Sequence, residues 1–249
     1  MIGEVYNSKS YGKFKVVEYV DMYNVTIQFL DTNYSCVVGT TDIKRGSVKD
    51  YCKPTLFGVG VVGKNLTNGK LDYPEIYDIW SRLLCRCYYS NTHIQQPTYA
   101  DCTTSENFNH LVFFESWCLN QVGFGSTDDK GKPFALDKDI LVKGNKIYSE
   151  DTCCFVPREI NSLMILSNAR RGKYPIGVSY NRKFGKFIAE HRVNCESKYL
   201  GCFDTPEEAF YAYKESKEAH IKDVANKWKD QIDPRVYEAL ISWNVEITD

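Results

Sequence analysis

The stretch "TPEEAFYAYKESKEAHIKDVANKW", Thr205 to Trp228, constrains the fold more than any other part of the chain. Thr205 can cap a helix with its hydroxyl, Pro206 suits the first helical position, and Glu208 completes a capping box. Ala209, Phe210, Ala212, Tyr213, Ile221, Val224 and Trp228 then make one apolar face, and the alanines allow close approach to a sheet. That sheet is expected just upstream. "YPIGVSYNRKFGKFIAEHRVNCESKYLGCFDT" contains candidate strands at 176–182, 186–193 and 197–203. In "KFIAEHR", Phe187, Ala189 and His191 share one face, which the helix can cover. Lys186, Ile188, Glu190 and Arg192 share the other. From Arg170 to Lys198 the basic residues are Arg170, Arg171, Lys173, Arg182, Lys183, Lys186, Arg192 and Lys198, and the acids are Glu190 and Glu196, a net +6. The open face is therefore expected to be basic. The tail "DPRVYEALISWNVEITD" has helical character up to about Trp243.

The middle of the chain reads as helix, helix, hairpin, helix. "PEIYDIWSRLLCRCYY" starts at Pro74, and Ser105 is placed to cap "ENFNHLVFFESWCLNQ". "FALDKDILVKGNKIYSEDTCCFVP" then reads as an apolar strand ending in Asp137, a turn at Gly144–Asn145, and a second run into Cys153–Cys154. "PREINSLMILSN", 157–168, follows as a helix.

The first fifty residues alternate with period two. "KFKVVEYV" and "YNVTIQFLDT" read as strands, and "YSCVVGTTDIKRG" continues the pattern, so a small β-barrel-like module is expected. A GxGxxG at Gly58, Gly60 and Gly63 is not followed by a helix, because Asn65, Asn68, Gly69 and Pro74 break the chain. A dinucleotide site needs that helix N-terminus, so the segment reads as a linker.

Bulk properties narrow the function classes. Net charge is −1 over 249 residues, so a nucleic-acid partner would need a local basic patch. No secretion signal or membrane-length apolar run is seen, and the ten cysteines lack paired CxxC spacing. They read as reduced thiols in a cytoplasmic protein with no membrane partner.

Two resemblances add to this reading. "IGVSYNRKFGKFIAEHR", "YLGCFDT" and "PEEAFYAYKESK" together resemble the APETALA2-type DNA-binding domain of plant ethylene-response factors, which also occurs in phage proteins. The likeness covers roughly fifty to sixty residues, a normal size for a small module. It implies a three-stranded sheet lying in the DNA major groove. Ser179, Asn181, Phe184, Glu190, Arg192, Ser197 and Tyr199 would stand at the reading positions, with Lys183 and Lys186 on phosphates. Arg182 and Lys198 add to the same basic set. The plant domains carry arginines where this chain has Ser179, Asn181 and Ser197, so guanine reading is reduced.

"YDIWSRLLCRCY", "PTYADCTTSENFNHLVFFESW", "LDKDI" and "NKIYSEDTCCFVP" resemble phage proteins of the HNH type, whose active members have a ββα-metal fold. The likeness implies that Asp137 sits at the metal-ligand position, that Lys138 replaces the base histidine, and that Asn145 lies near the asparagine that holds the loop. Thr152 stands where related sequences often have Asn. Asp137 and Asp139 flank Lys138 and favour its charged form, which is no general base. Lys138 is then expected to hold DNA backbone rather than to cut it.

The expected fold is α+β: a β-barrel-like module at 1–55, a linker at 56–73, a degenerate HNH-like ββα module at 74–168, an APETALA2-like sheet and helix at 169–230, and a helical tail at 231–249. The expected function is a phage-type, double-stranded DNA-binding protein acting in a bacterial host cytoplasm. Two other readings stay open. One is a homing-type HNH endonuclease using Asp137, Lys138, Asp139 and Asn145 with Mg²⁺ or another divalent cation. The other is a protein that binds and inhibits a host defence system. A second copy of the chain is a further partner class.

Overall fold

A computed structural model describes residues 1–64, 72–164, 172–193 and 196–249. Asn65, Asn68 and Gly69 of the expected linker, the end of the helix expected to reach residue 168, and Arg170 and Arg171 lie outside the described residues. The fold mixes α and β, as expected, and divides into two compact units. One comprises Met1–Leu119 with Lys146–Glu150; the other comprises Asn120–Asn145 with Asp151–Asp249.

The first unit opens with an antiparallel meander, β1 (Val5–Ser8), β2 (Gly12–Tyr19), β3 (Val25–Phe29) and β4 (Ser35–Val38), in that spatial order. Phe14, Val16, Val25, Ile27 and Phe29 alternate onto its inner face, as period two demands. The sheet is open and no barrel closes, which corrects the expectation. The reason is local. Strand character expected through Gly46 stops at Val38, and α1 (Thr40–Arg45) follows, ended by Gly46 in the left-handed region at φ 63°. Ile43 of this helix, with Val48, covers the core that strand closure would otherwise have covered.

Beyond the meander come α2 (Pro74–Tyr88), α3 (Ser90–Gln95), β5 (Thr103–Thr104) and α4 (Leu111–Leu119). Strand β5 pairs in parallel with β7 (Ile147–Tyr148), which brings Lys146–Glu150 into this unit. Trp80 is fully buried and its indole donates to the Phe108 carbonyl at 2.8 Å. Ser105 does not cap α4, as had been expected. Its hydroxyl accepts from the Phe108 amide at 3.3 Å and holds a single 3₁₀ turn at Asn107–Asn109.

In the second unit β6 (Ala135–Asp137) pairs antiparallel with β8 (Cys154–Val156), and α5 (Arg158–Leu163) follows. Strands β9 (Val178–Asn181), β10 (Lys186–Val193) and β11 (Glu196–Phe203) form an antiparallel sheet with β10 in the middle. Helix α6 (Pro206–Trp228) packs across all three strands, and α7 (Pro234–Ile241) packs on α6. The capping box at the start of α6 is complete: Thr205 Oγ1 accepts from the Glu208 amide at 3.2 Å, and Glu208 Oε2 accepts from the Thr205 amide at 3.3 Å. Among the described residues no helix is long and apolar enough to cross a membrane.

Candidate functional site

Two arrangements bear on function, both in the second unit. The first is the outward face of the β9–β10–β11 sheet. Strand β10 alternates cleanly: Ala189 and His191 are buried toward α6, and Glu190 and Arg192 are exposed. Cross-strand register then fixes the outward rows. Lys186 pairs with Asn181, Ile188 stands between Ser179 and Cys202, Glu190 pairs with Tyr199, and Arg192 pairs with Ser197. The pairing shifts by one residue between Ala189 and Glu190, where β11 carries the extra residue Leu200. That bulge keeps Tyr199 and Ser197 on the outward face. Ser179, Asn181, Lys186, Glu190, Arg192, Ser197 and Tyr199 thus share one surface.

The tight turn from β9 to β10 exposes Arg182, Lys183 and Phe184, with Lys183 Nζ 5.5 Å from the centre of the Phe184 ring. Asn181 is partly committed to this turn, because its Oδ1 accepts from the Lys183 amide at 3.0 Å. Lys186 is ion-paired to Asp204 at 2.8 Å, both exposed, so a phosphate would have to compete with that carboxylate. Lys198 sits elsewhere. It pairs with His191, whose side chain faces α6, so Lys198 belongs to the helix side of the sheet rather than to the outward face.

Between the sheet and α6 lies a cluster centred on His191. His191 is 2% exposed. Its Nδ1 is 3.0 Å from the Ser216 hydroxyl, and its Nε2 has no hydrogen-bond partner among the described residues. Its ring lies edge-on to Tyr213 and to His220, with centroids 5.6 and 5.5 Å away. Burial first, then the neighbouring Lys217, His220 and Lys198, push the imidazole down to about 4. The only signal in the sequence was the inward parity of His191 on β10.

The second arrangement is the loop after β6. Asp137 is 8% exposed, and its Oδ1 accepts from the amides of Asp139 and Ile140, both at 2.9 Å. Burial, with Asp139 adding to it, raises this carboxyl to about 6. Lys138 is 7% exposed. Its ammonium turns inward, donating to Asp139 Oδ2 at 2.9 Å and to the Asn145 carbonyl at 2.8 Å. Asn145 answers by donating its side-chain amide to the Lys138 carbonyl at 2.7 Å. Asp137, Lys138, Asp139 and Asn145 are therefore brought together, but in a closed ring of mutual bonds. Lys138 was expected to hold DNA backbone; here its ammonium is engaged within the loop by Asp139 and Asn145.

A hard divalent cation takes about six or more oxygen ligands. Asp137 offers one carboxylate already engaged by two amides, and Asp139 is neutralised by Lys138. Among the described residues no three His, Cys, Asp or Glu side chains stand close enough to share a metal ion. His93 is engaged elsewhere, its Nε2 2.9 Å from the Arg86 carbonyl. The residues present do not fit a metal at Asp137, and no hydrolytic step follows from them.

Compared with protein-family models, with curated proteins and with solved structures, the chain gives no match.

Proposed function

We propose that this chain is a double-stranded DNA-binding protein that reads its site through the outward face of β9–β11. On the α6 side of the sheet, where α5 contacts α6, β6, β8 and α5 would form a degenerate HNH-like ββα scaffold that keeps its shape and not its chemistry. One observation carries the reading. Of the positions that the APETALA2 resemblance implies, Ser179, Asn181, Lys186, Glu190, Arg192, Ser197 and Tyr199 share one face of a sheet whose other face is closed by α6, with Lys183 and Phe184 in the β9–β10 turn. Such a face offers hydrogen-bonding side chains at its centre and cations at its ends, the division of labour between base reading and phosphate contact. The APETALA2-like and HNH-like resemblances point the same way, and the phage likeness suggests a bacterial host cytoplasm as the setting.

The test is duplex binding by fluorescence anisotropy over a salt series. Binding is expected to weaken linearly in log–log form, with a slope of about −0.9 per phosphate neutralised. Combined Arg192→Ala and Lys186→Ala should abolish specific binding, whereas Lys138→Ala should leave it. Absence of affinity at low salt would overturn the reading and favour a host-protein target. Plasmid nicking with Mg²⁺ or Mn²⁺ that disappears in Asp137→Ala would replace it with an endonuclease.

A further inference from the structure

The outward rows of the β9–β11 sheet differ in chemistry. The Asn181–Lys186, Glu190–Tyr199 and Arg192–Ser197 rows each hold a charged side chain. The row Ser179–Ile188–Cys202 holds none, and on this face it is the row where all three strands meet. Ile188 lies at its centre, on the middle strand, partly exposed between exposed Ser179 and Cys202. Ile188 lies on the face that α6 leaves open and stays partly exposed. The apolar surface it still exposes becomes stabilising when something apolar is brought against it.

On the reading of this face as DNA-facing, the apolar group that a duplex offers is specific. Of the groups presented in the major groove, only the C5-methyl of a pyrimidine is hydrocarbon. The cations flank the neutral row, Lys186 in the next outward row on one side and Arg192 two rows away on the other, where they can meet backbone while the centre approaches base edges. Successive outward residues on a strand are about 6.8 Å apart, close to two base-pair steps of about 3.4 Å. The neutral row and its polar neighbours can therefore face different base pairs.

We propose that the Ser179–Ile188–Cys202 row is a methyl-reading element that selects a C5-methylated pyrimidine, thymine in ordinary DNA, at the centre of the bound site. The proposal rests on the DNA-binding reading above. Ile188 is the specificity-determining residue, and Ser179 and Cys202 are small enough to let the base edge reach it.

The experiment uses the full chain. Preferred duplexes are selected from a random pool at low salt, and each thymine in the selected site is replaced in turn by deoxyuridine, which removes only the methyl group. One position is expected to show about 4-fold weaker binding, the size of one buried methyl. Replacing the pair so that 5-methylcytosine occupies that position separates methyl recognition from reading of the thymine carbonyl. Affinity above that for unmethylated cytosine is expected. Ile188→Ala should erase the thymine-to-deoxyuridine ratio while still binding both duplexes, and the milder Ile188→Val should keep it. Equal affinity for thymine and deoxyuridine at every position, or a ratio that survives in Ile188→Ala, overturns this proposal alone. No affinity for any duplex overturns the DNA-binding reading and this proposal with it.

Discussion

Lys138 and Asn145 hold each other twice: the Asn145 side-chain amide donates to the Lys138 carbonyl at 2.7 Å, and the Lys138 ammonium donates to the Asn145 carbonyl at 2.8 Å. This reciprocal pair closes the loop after β6 and points the lysine charge away from solvent. Asn145→Ala leaves the Lys138 carbonyl without its side-chain donor and should cost about 1–3 kcal/mol in urea unfolding. Lys138→Met should also destabilise, because Asp139 loses its partner at 2.9 Å. Neither change should alter duplex affinity by more than about 2-fold, which a DNA-contacting lysine would not permit.

Asp137 and His191 give the second unit two opposed responses to pH. The Asp137 carboxyl is raised from 3.8 to about 6, so the folded state binds its proton more readily than the unfolded chain. Its contribution is full in acid and is lost as pH rises through about 6. Asp137→Asn can still accept from the Asp139 and Ile140 amides, and should stabilise the protein above neutrality by about 1–2 kcal/mol.

His191 has the reverse sign. Its imidazole is lowered from 6.5 to about 4, so the unfolded chain binds the proton first. Stability is full above about 6.5 and falls as pH drops toward 4. Lys217 and His220 of α6 and Lys198 of β11 all act against the charge on His191, while Glu159 and Asp223 favour the charge on His220. His191→Gln, unable to titrate, should flatten this acid limb in denaturant titrations, while Asp137→Asn should steepen it.

Gly177 makes room for the α6 contact. Its φ is 76°, and a Cβ there would lie 2.0 Å from Cδ2 of Tyr213. Gly177→Ala should lower stability by about 2–4 kcal/mol, combining left-handed strain with overpacking. Thermal melting followed by near-ultraviolet dichroism would read it, since Tyr213 is the displaced chromophore.

Glu159 ties α5 to the end of α6. One carboxylate oxygen, Oε2, accepts from the Trp228 indole at 2.8 Å and from Lys227 at 2.7 Å. Glu159→Ala should cost about 1–3 kcal/mol by leaving the indole N–H of a buried tryptophan unpaired. Glu159→Gln, which still accepts from the indole, should cost less, and the difference between the two variants measures that bond.

Local rules were enough for the C-terminal sheet and helix. The start of α6 is written in Thr205, Pro206 and Glu208, whose bonds span three residues, and the faces of β10 follow from strict alternation. Sequence alone therefore determined the two faces of β10, whereas the bulge at Leu200 that brings Tyr199 and Ser197 onto the outward face came from the tertiary structure. Other features depended on distant partners. The N-terminal sheet is covered by Ile43 and Val48, so strand alternation could not reveal that it stays open. Lys198 carries the right charge for a DNA contact, but its pairing opposite His191 gives it to the helix side. Lys138 has the same charge as Lys183, one exposed in a turn and the other buried by Asp139 and Asn145. A residue's type sets what bonds it can make, and alternation sets which way it points. Whether a charge ends in solvent or in a closed ring depends on groups several residues away, and only the tertiary structure decided that.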